Sequence, residues 1–223
     1  PIQLDAAITG APVELDDNSI LVGTNTHALR ISHQGYILFN EPIESPMAGG
    51  AVLADMDGSG DLDIVFVTLG GMLYEMYQNG DVAGGFPVSL GANFNTPPLI
   101  ANLDADYYPE ILLSSYINSV YAYNNDGSPV AGFPFLTSFN GCTPGTLCDF
   151  DDDGMLKLVS GYSTGVLVLN LRRAETPVMP WTTYRGSLKR QGSFAATGYV
   201  EDGDVTAPVF SDRLGQNFPN PFN

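Results

Sequence analysis

Three short segments of the chain carry oxygen-bearing residues at alternate positions. The first offers Asp55, Asp57, Ser59, Asp61 and Asp63; the second offers Asn102, Asp104, Asp106, Tyr108 and Glu110; the third offers Asp149, Asp151 and Asp153. Asp61 and Tyr108 would contribute main-chain carbonyls. Alternate residues of a tight loop converge on one point, and such a set suits a hard cation that takes about six to eight oxygens. We therefore predict a Ca²⁺ site in each of the first two segments, with Asp149, Asp151 and Asp153 of the third as further candidate ligands. Calcium fits better than magnesium because nothing in the sequence suggests a phosphate substrate.

The charge distribution supports a bound cation. The formal net charge is -17, and no Lys or Arg occurs between Ile31 and Leu156. That span holds 16 acidic residues, of which 11 lie in the three segments. Carboxylates at this density repel one another unless a cation neutralises them. The same charge argues against nucleic acid as a partner.

Two alternatives bear on these segments. Each could instead be a series of Asx turns with solvated carboxylates. In the third segment the ninth position is Lys157, which could supply the positive charge in place of an ion. An EF-hand is excluded because its twelfth position must be acidic and its loop is flanked by helices. The twelfth residues here are Phe66, Leu113 and Ser160, each inside a strand pattern.

The segments belong to an internal repeat. Asp55, Asn102 and Asp149 are spaced 47 residues apart, and the downstream Asn-Gly or Asp-Gly and Gly-Phe-Pro motifs recur at the same spacing. We predict four units near 1–44, 45–91, 92–138 and 139–198, the first of which lacks a proper acidic loop.

Each unit is predicted to form strands. Short apolar runs at 64–67 and 111–113 suit strands buried on both faces. Runs rich in Tyr, Val and Leu at 72–77, 119–123 and 165–169 complete the pattern, and the first two lead into hairpin turns. Three to four strands per unit predict an all-β fold of β-propeller blades. A superhelical β-solenoid is the alternative, although its rungs are usually shorter. Four units are few for a ring, so we expect further blades upstream. An isolated piece would then pair with itself or with a sister fragment.

The combination of acidic loop, Ile/Val strand and Gly-Phe-Pro turn resembles the FG-GAP/VCBS repeats of integrin-like β-propellers over roughly residues 13–171. This resemblance implies calcium ions that stiffen the loops between strands and a ligand-binding surface on one rim. Lys157, Tyr107 in place of the loop glycine, and the degenerate first unit depart from the family pattern.

The C-terminal end has a different character. Residues 181–186 resemble the W-x-x-[FY]-R segment that borders such propellers, and residues 199–213 are predicted to be a linker. Residues 214–223 contain Q-N-F-P-N-P-F-N, which resembles the opening of the C-terminal sorting domain of type IX secretion cargo. This resemblance implies a protein that is secreted or held at the cell surface, with the sorting domain truncated.

No catalytic constellation is visible in the sequence. The two histidines, His27 and His33, lie at predicted hairpin positions, and no H-E-x-x-H motif occurs. We therefore predict a binding or structural module whose protein or carbohydrate ligand is unknown. The alternative is an accessory propeller of a secreted hydrolase or peptidase with its catalytic domain upstream. No apolar run is long enough to span a membrane, and Cys142 and Cys148 are predicted not to be bonded to each other.

Overall fold

The computed structural model describes residues 4, 6–104, 106–137, 143–150, 155–162 and 165–171. Within these residues the secondary structure consists of fifteen β-strands and no helix, as the sequence predicts. Sheet 1 contains β1 (Val13–Glu14), β2 (Ile20–Gly23), β3 (His27–Ile31) and β4 (Ile37–Pro42). Sheet 2 contains β5 (Val52–Ala54), β6 (Asp63–Val67), β7 (Met72–Met76) and β8 (Val88–Ser89). Sheet 3 contains β9 (Leu99–Ala101), β10 (Glu110–Ser114), β11 (Ser119–Tyr123) and β12 (Phe135–Leu136), and sheet 4 contains β13 (Thr146–Cys148), β14 (Lys157–Tyr162) and β15 (Gly165–Asn170).

All four sheets are antiparallel meanders in which the strands follow chain order. Sheets 1 to 3 have four strands each, and sheet 4 has three within the described part of the chain. The first strands of neighbouring sheets lie side by side, since β9 contacts both β5 and β13. Such a series of small meanders, each beginning at a common inner edge, is the architecture of β-propeller blades.

Burial explains the apolar runs in the sequence. Every residue of β6 and of β10 is buried, so both faces of these strands are covered. One hydrophobic cluster extends across sheets 1, 2 and 3, and a second joins sheet 3 to sheet 4. The core therefore lies between consecutive sheets, and each inner sheet is covered by its neighbours on both faces. This is why its central strands lack the apolar and polar alternation of a half-exposed sheet.

The Gly-Phe-Pro motif marks close approach between neighbouring sheets. Gly85 lies between β7 and β8 and has a φ of +91°. A Cβ atom at this position would lie 2.0 Å from the carbonyl oxygen of Asp126, in the turn between β11 and β12. Only glycine combines this backbone conformation with such an approach. Gly132, the equivalent glycine of the second motif, has a similar φ of +93° but no such close neighbour, so the two motifs share the backbone conformation that favours glycine.

The structure also bears on the EF-hand alternative and on the predicted cysteine chemistry. Phe66, Leu113 and Ser160 lie within β6, β10 and β14, which confirms the exclusion of an EF-hand. Cys148 is a free thiol, as predicted, whereas Cys142 lies outside the described residues, as do residues 172–223 with the predicted border segment, linker and sorting-domain start. Among the described residues there is no helix of the length and apolar character needed to cross a membrane.

Candidate metal centre

The first two acidic segments occupy the same place in consecutive sheets. Residues 55–62 connect β5 to β6, and residues 102–109 connect β9 to β10. The last acidic residue of each segment is the first residue of the following strand. Asp63 pairs with Ala54, and Glu110 pairs with Ala101. The strand pairing therefore holds the two ends of each loop together and turns the final carboxylate back under the loop.

Backbone amides shape the first loop, which we define as residues 55–63. The amide of Met56 donates to Asp63 Oδ2 at 2.9 Å, that of Gly60 to Asp55 Oδ2 at 3.0 Å, and that of Ser59 to Asp57 Oδ1 at 3.0 Å. One carboxylate oxygen from each of the three aspartates lies within 4.8 Å of the other two. Oxygens bound to one calcium ion at about 2.3–2.6 Å have separations of this order.

The second loop, residues 102–110, repeats these contacts. The amide of Leu103 donates to the Glu110 carboxylate, and that of Asp106 donates to Asp104 Oδ1 at 2.9 Å. One oxygen from each of Asp104, Asp106 and Glu110 lies within 4.8 Å of the other two. The side-chain nitrogen Nδ2 of Asn102 donates to the main-chain carbonyl of Asp106 at 2.7 Å, so the side-chain oxygen Oδ1 of Asn102 takes no part in this bond.

Each of these loops contains a buried oxygen with no hydrogen-bond partner. These atoms are Asp55 Oδ1 in the first loop and Asn102 Oδ1 in the second. Asn102 is only 1% exposed, so water does not reach it from the surface. A buried polar atom without a partner costs roughly 1–3 kcal/mol. A cation bound to these oxygens would remove that cost.

Burial disfavours the ionised form of the innermost acids. It raises the pKa of Asp63 to about 6 and that of Glu110 to about 7, and neighbouring carboxylates add to both effects. Glu75, on β7, is 2% exposed, and its Oε2 has no partner. Burial, with the charges of Asp63 and Asp57, raises the pKa of Glu75 to about 8. The buried members of each cluster therefore favour the neutral form unless a positive charge lies beside them.

Sheets 1 and 4 each carry a basic side chain near the connection between their first two strands, whereas sheets 2 and 3 contain no Lys or Arg. In sheet 4, Lys157 begins β14, the place that Asp63 has in β6, and its Nζ lies 3.8 Å from Asp149 Oδ1. In sheet 1, Arg30 is 8% exposed and donates to Asp17 Oδ2 at 2.8 Å and to Ser19 Oγ at 2.7 Å. Asp17 and Ser19 belong to the shortened connection between β1 and β2.

The structure brings some of the predicted metal-binding residues together and leaves others apart. Asp55, Asp57 and Asp63 come together in the first loop, as Asn102, Asp104, Asp106 and Glu110 do in the second. Ser59 and Asp61 are exposed, and the Asp61 amide donates to Ser59 Oγ at 3.3 Å. Tyr108 lies in the second loop, its ring 5.6 Å from that of Tyr107. In the third segment Asp149 lies beside Lys157, while Asp151 and Asp153 are outside the described residues.

Sequence reasoning missed two residues of this region, Arg30 and Glu75. Arg30 could have been found, since it is the only base before Lys157. Glu75 carried a weaker signal, namely a single acid within the apolar strand Met72–Met76. Neither belongs to an acidic segment, and both approach the loops from the third strand of their sheets.

Comparisons with known proteins agree with the fold. No family model matches the chain, and no curated protein does. Among solved structures, a crystal structure of BBS1N in complex with ARL6DN, soaked with mercury, matches with a TM-score of 0.53 at 17% identity over 80% of this chain. A lead-soaked form of that complex matches with a TM-score of 0.52, also at 17% identity and over 80% of this chain. BamB from Moraxella catarrhalis matches with a TM-score of 0.47 at 17% identity, covering 77% of this chain and 52% of that one.

The matched BBS1N structures are longer than this chain, which spans 58% and 59% of their lengths. At this level of identity the likeness concerns the fold alone. Together with the four-stranded antiparallel meanders it confirms the predicted class: the chain is all-β and is built of β-propeller blades.

The raised pKa values predict how pH acts on the metal-free protein. An acid whose pKa is higher in the folded state costs stability when it ionises. For Glu75 this cost grows as pH rises from its ordinary value of 4.5 to about 8, and for Glu110 from 4.5 to about 7. We expect a variant with Glu75→Gln and Glu110→Gln to gain stability over the wild type across this window, with the difference constant above about pH 8. Urea unfolding in chelator at several pH values would measure it; a difference that does not change with pH would contradict the prediction.

Proposed function

We propose that this chain is a calcium-stabilised β-propeller segment of a secreted or cell-surface protein, and that it acts as a binding or structural module. In this proposal the first and second loops each hold one calcium ion. The ions fix the connections between the first two strands of sheets 2 and 3, and so fix the shape of one end of the propeller.

The observation that carries the proposal is a comparison between the four sheets. Sheets 1 and 4 have a buried basic side chain, Arg30 or Lys157, at the first connection between strands. Sheets 2 and 3 have no basic side chain at this connection. In these two sheets the connection contains a buried oxygen without a hydrogen-bond partner, Asp55 Oδ1 or Asn102 Oδ1. The same structural position thus has either a built-in cation or a set of oxygens that requires one. Solvated Asx turns do not account for unpartnered oxygens that are buried.

The ligand chemistry favours calcium. Each loop offers three clustered carboxylates, all of them hard donors, and the second loop also contains the buried, unpartnered amide oxygen of Asn102. No His or Cys belongs to either cluster, which disfavours zinc and other transition metals. Magnesium demands near-ideal octahedral geometry and usually retains several waters, whereas calcium accepts the irregular oxygen sets that such loops provide.

Two further points support the binding role and the location. The imidazole rings of His27 and His33 bond to the side chains of their sequence neighbours Thr26 and Gln34, and within the described residues neither ring bonds to an acidic loop. Residues 214–223, with Q-N-F-P-N-P-F-N, resemble the opening of a type IX sorting domain and support export. Calcium is abundant outside the cell, where weak sites suffice.

The direct test is calcium titration of the purified chain by isothermal calorimetry. We expect two ions to bind per chain, with one lost in Asp57→Ala and the other lost in Asp104→Ala. Each substitution removes one charged ligand from one loop while leaving the buried acids in place. An Asp81→Ala variant, which changes an exposed acid in the β7–β8 connection, is the matched control and should keep both ions. Failure of the wild type to bind calcium at millimolar concentrations would overturn the proposal.

A further inference from the structure

Glu75 occupies a position that has an equivalent in each sheet. It pairs with Val65, which follows the last ligand of the first loop, Asp63, by two residues. In sheet 1 the same place in the ladder is taken by Arg30, paired with Leu21, and in sheet 3 by Ala122, paired with Leu112. Side chains directly opposite in an antiparallel pair share one face. Arg30, Glu75 and Ala122 therefore have the same orientation relative to their own sheets.

The environment of Arg30 defines what this position faces. Its guanidinium contacts the shortened loop of its own sheet through Asp17. It also donates to the main-chain carbonyl of Gln78 and, at 3.2 Å, to Gln78 Oε1, both in the turn that follows β7 in the next sheet. The position thus lies where the loop of one sheet meets the hairpin of the next.

The junction between sheets 2 and 3 has the same construction. Asn125, 47 residues after Gln78, follows β11 and donates through Nδ2 to the carbonyl of Met56 in the first loop at 3.1 Å. The side chain aimed at this junction is Glu75 in place of Arg30. It is buried, its Oε2 has no partner, and the charges of Asp63 and Asp57 act on it. A buried acid beside two other acids is destabilising unless a cation lies among them.

We propose that Glu75 is a further acidic group of the first calcium site and gives that site a higher calcium affinity than the second. The inference rests on the proposed function, since it concerns the ion held by the first loop. The ion would take the place at the junction of sheets 2 and 3 that the Arg30 guanidinium takes at the junction of sheets 1 and 2. In sheet 3 the equivalent residue is Ala122, so the second site has no such acid.

The test measures calcium binding to one site at a time. Asp104→Ala disables the second loop and leaves the first, and Asp57→Ala does the reverse. We expect Glu75→Gln to weaken calcium binding about tenfold or more in the Asp104→Ala background, because a nearby charge is lost from a site shielded from water. In the Asp57→Ala background the same substitution should leave the dissociation constant unchanged. Glu14→Gln, which changes an exposed acid on β1, controls for net charge and should have no effect in either background.

A second measurement separates ion binding from a packing role. In excess chelator, Glu75→Gln should be at least as stable as its parent, because an amide replaces a buried acid that has no cation beside it. In calcium it should be less stable than its parent. A residue that matters only for packing would destabilise the protein equally under both conditions.

The outcomes distinguish the two proposals. If neither the wild type nor Asp104→Ala binds calcium, the proposed function itself is wrong. If both bind, and Glu75→Gln leaves the affinity of the first site unchanged, the role of Glu75 is wrong while the calcium sites stand. Equal affinities of the first and second sites in the two single-loop variants would also overturn the inference.

Discussion

Removal of calcium with excess chelator is expected to lower the thermal unfolding midpoint of this protein by roughly 10–20 °C. Each ion that binds only the folded state contributes about 2.7 kcal/mol at a hundredfold excess over its dissociation constant. For a chain of this size, 1 kcal/mol corresponds to roughly 2–4 °C. Two ions therefore give a difference of this order. The measurement is differential scanning calorimetry in low-salt buffer, first with calcium and then with chelator.

Variants in which one loop is disabled measure how much each loop contributes to this change in the unfolding midpoint. Asp57→Ala and Asp104→Ala should each retain part of the calcium response, and the double variant should retain none. Chelator with added magnesium controls for a general effect of divalent ions on a chain with a net charge of -17. Coincident unfolding curves with and without calcium would show that the loops are solvated turns.

Replacement of Arg30 by alanine is expected to cost about 2–4 kcal/mol of unfolding free energy, and calcium should not restore the loss. The guanidinium bonds Asp17, Ser19 and the carbonyl of Gln78, so its removal leaves the buried hydroxyl of Ser19 without this donor and breaks the contact between sheets 1 and 2. Loss of one partner from a buried ionic group typically costs about 3–5 kcal/mol. Here the value is lower because the Asp17 side chain is 51% exposed and stays hydrated.

Urea unfolding of Arg30→Ala in calcium and in chelator would measure this cost. Asp17→Ala is the matched control, since it removes only the half-exposed partner and should cost less than about 1 kcal/mol. If Arg30→Ala were no more destabilising than Asp17→Ala, the arginine would not serve as the fixed cation of sheet 1. A loss that calcium reverses would place a metal in sheet 1 as well.

The sequence by itself determined the fold class and the acidic residues that cluster in the two loops. The 47-residue spacing gave the period of the sheets, because each unit repeats its loop, its buried strand and its hairpin turn in order. Asp55, Asp57 and Asp63 could be selected together because they are close in sequence, and alternate residues of a turn share one side. Strand pairing then needed only to close the loop at Asp63 and Ala54.

Only the tertiary structure decided which charged groups face one another across the sheets. Arg30 meets Gln78 over a separation of 48 residues, and Asn125 meets Met56 over 69. No local pattern encodes such contacts, because they depend on which face of each sheet packs on the next. Glu75 illustrates the reason most clearly. In the sequence Glu75 is a single acid within a strand. In the folded protein the neighbouring sheets exclude water from it, and the aspartates of the first loop are the charges that act on it.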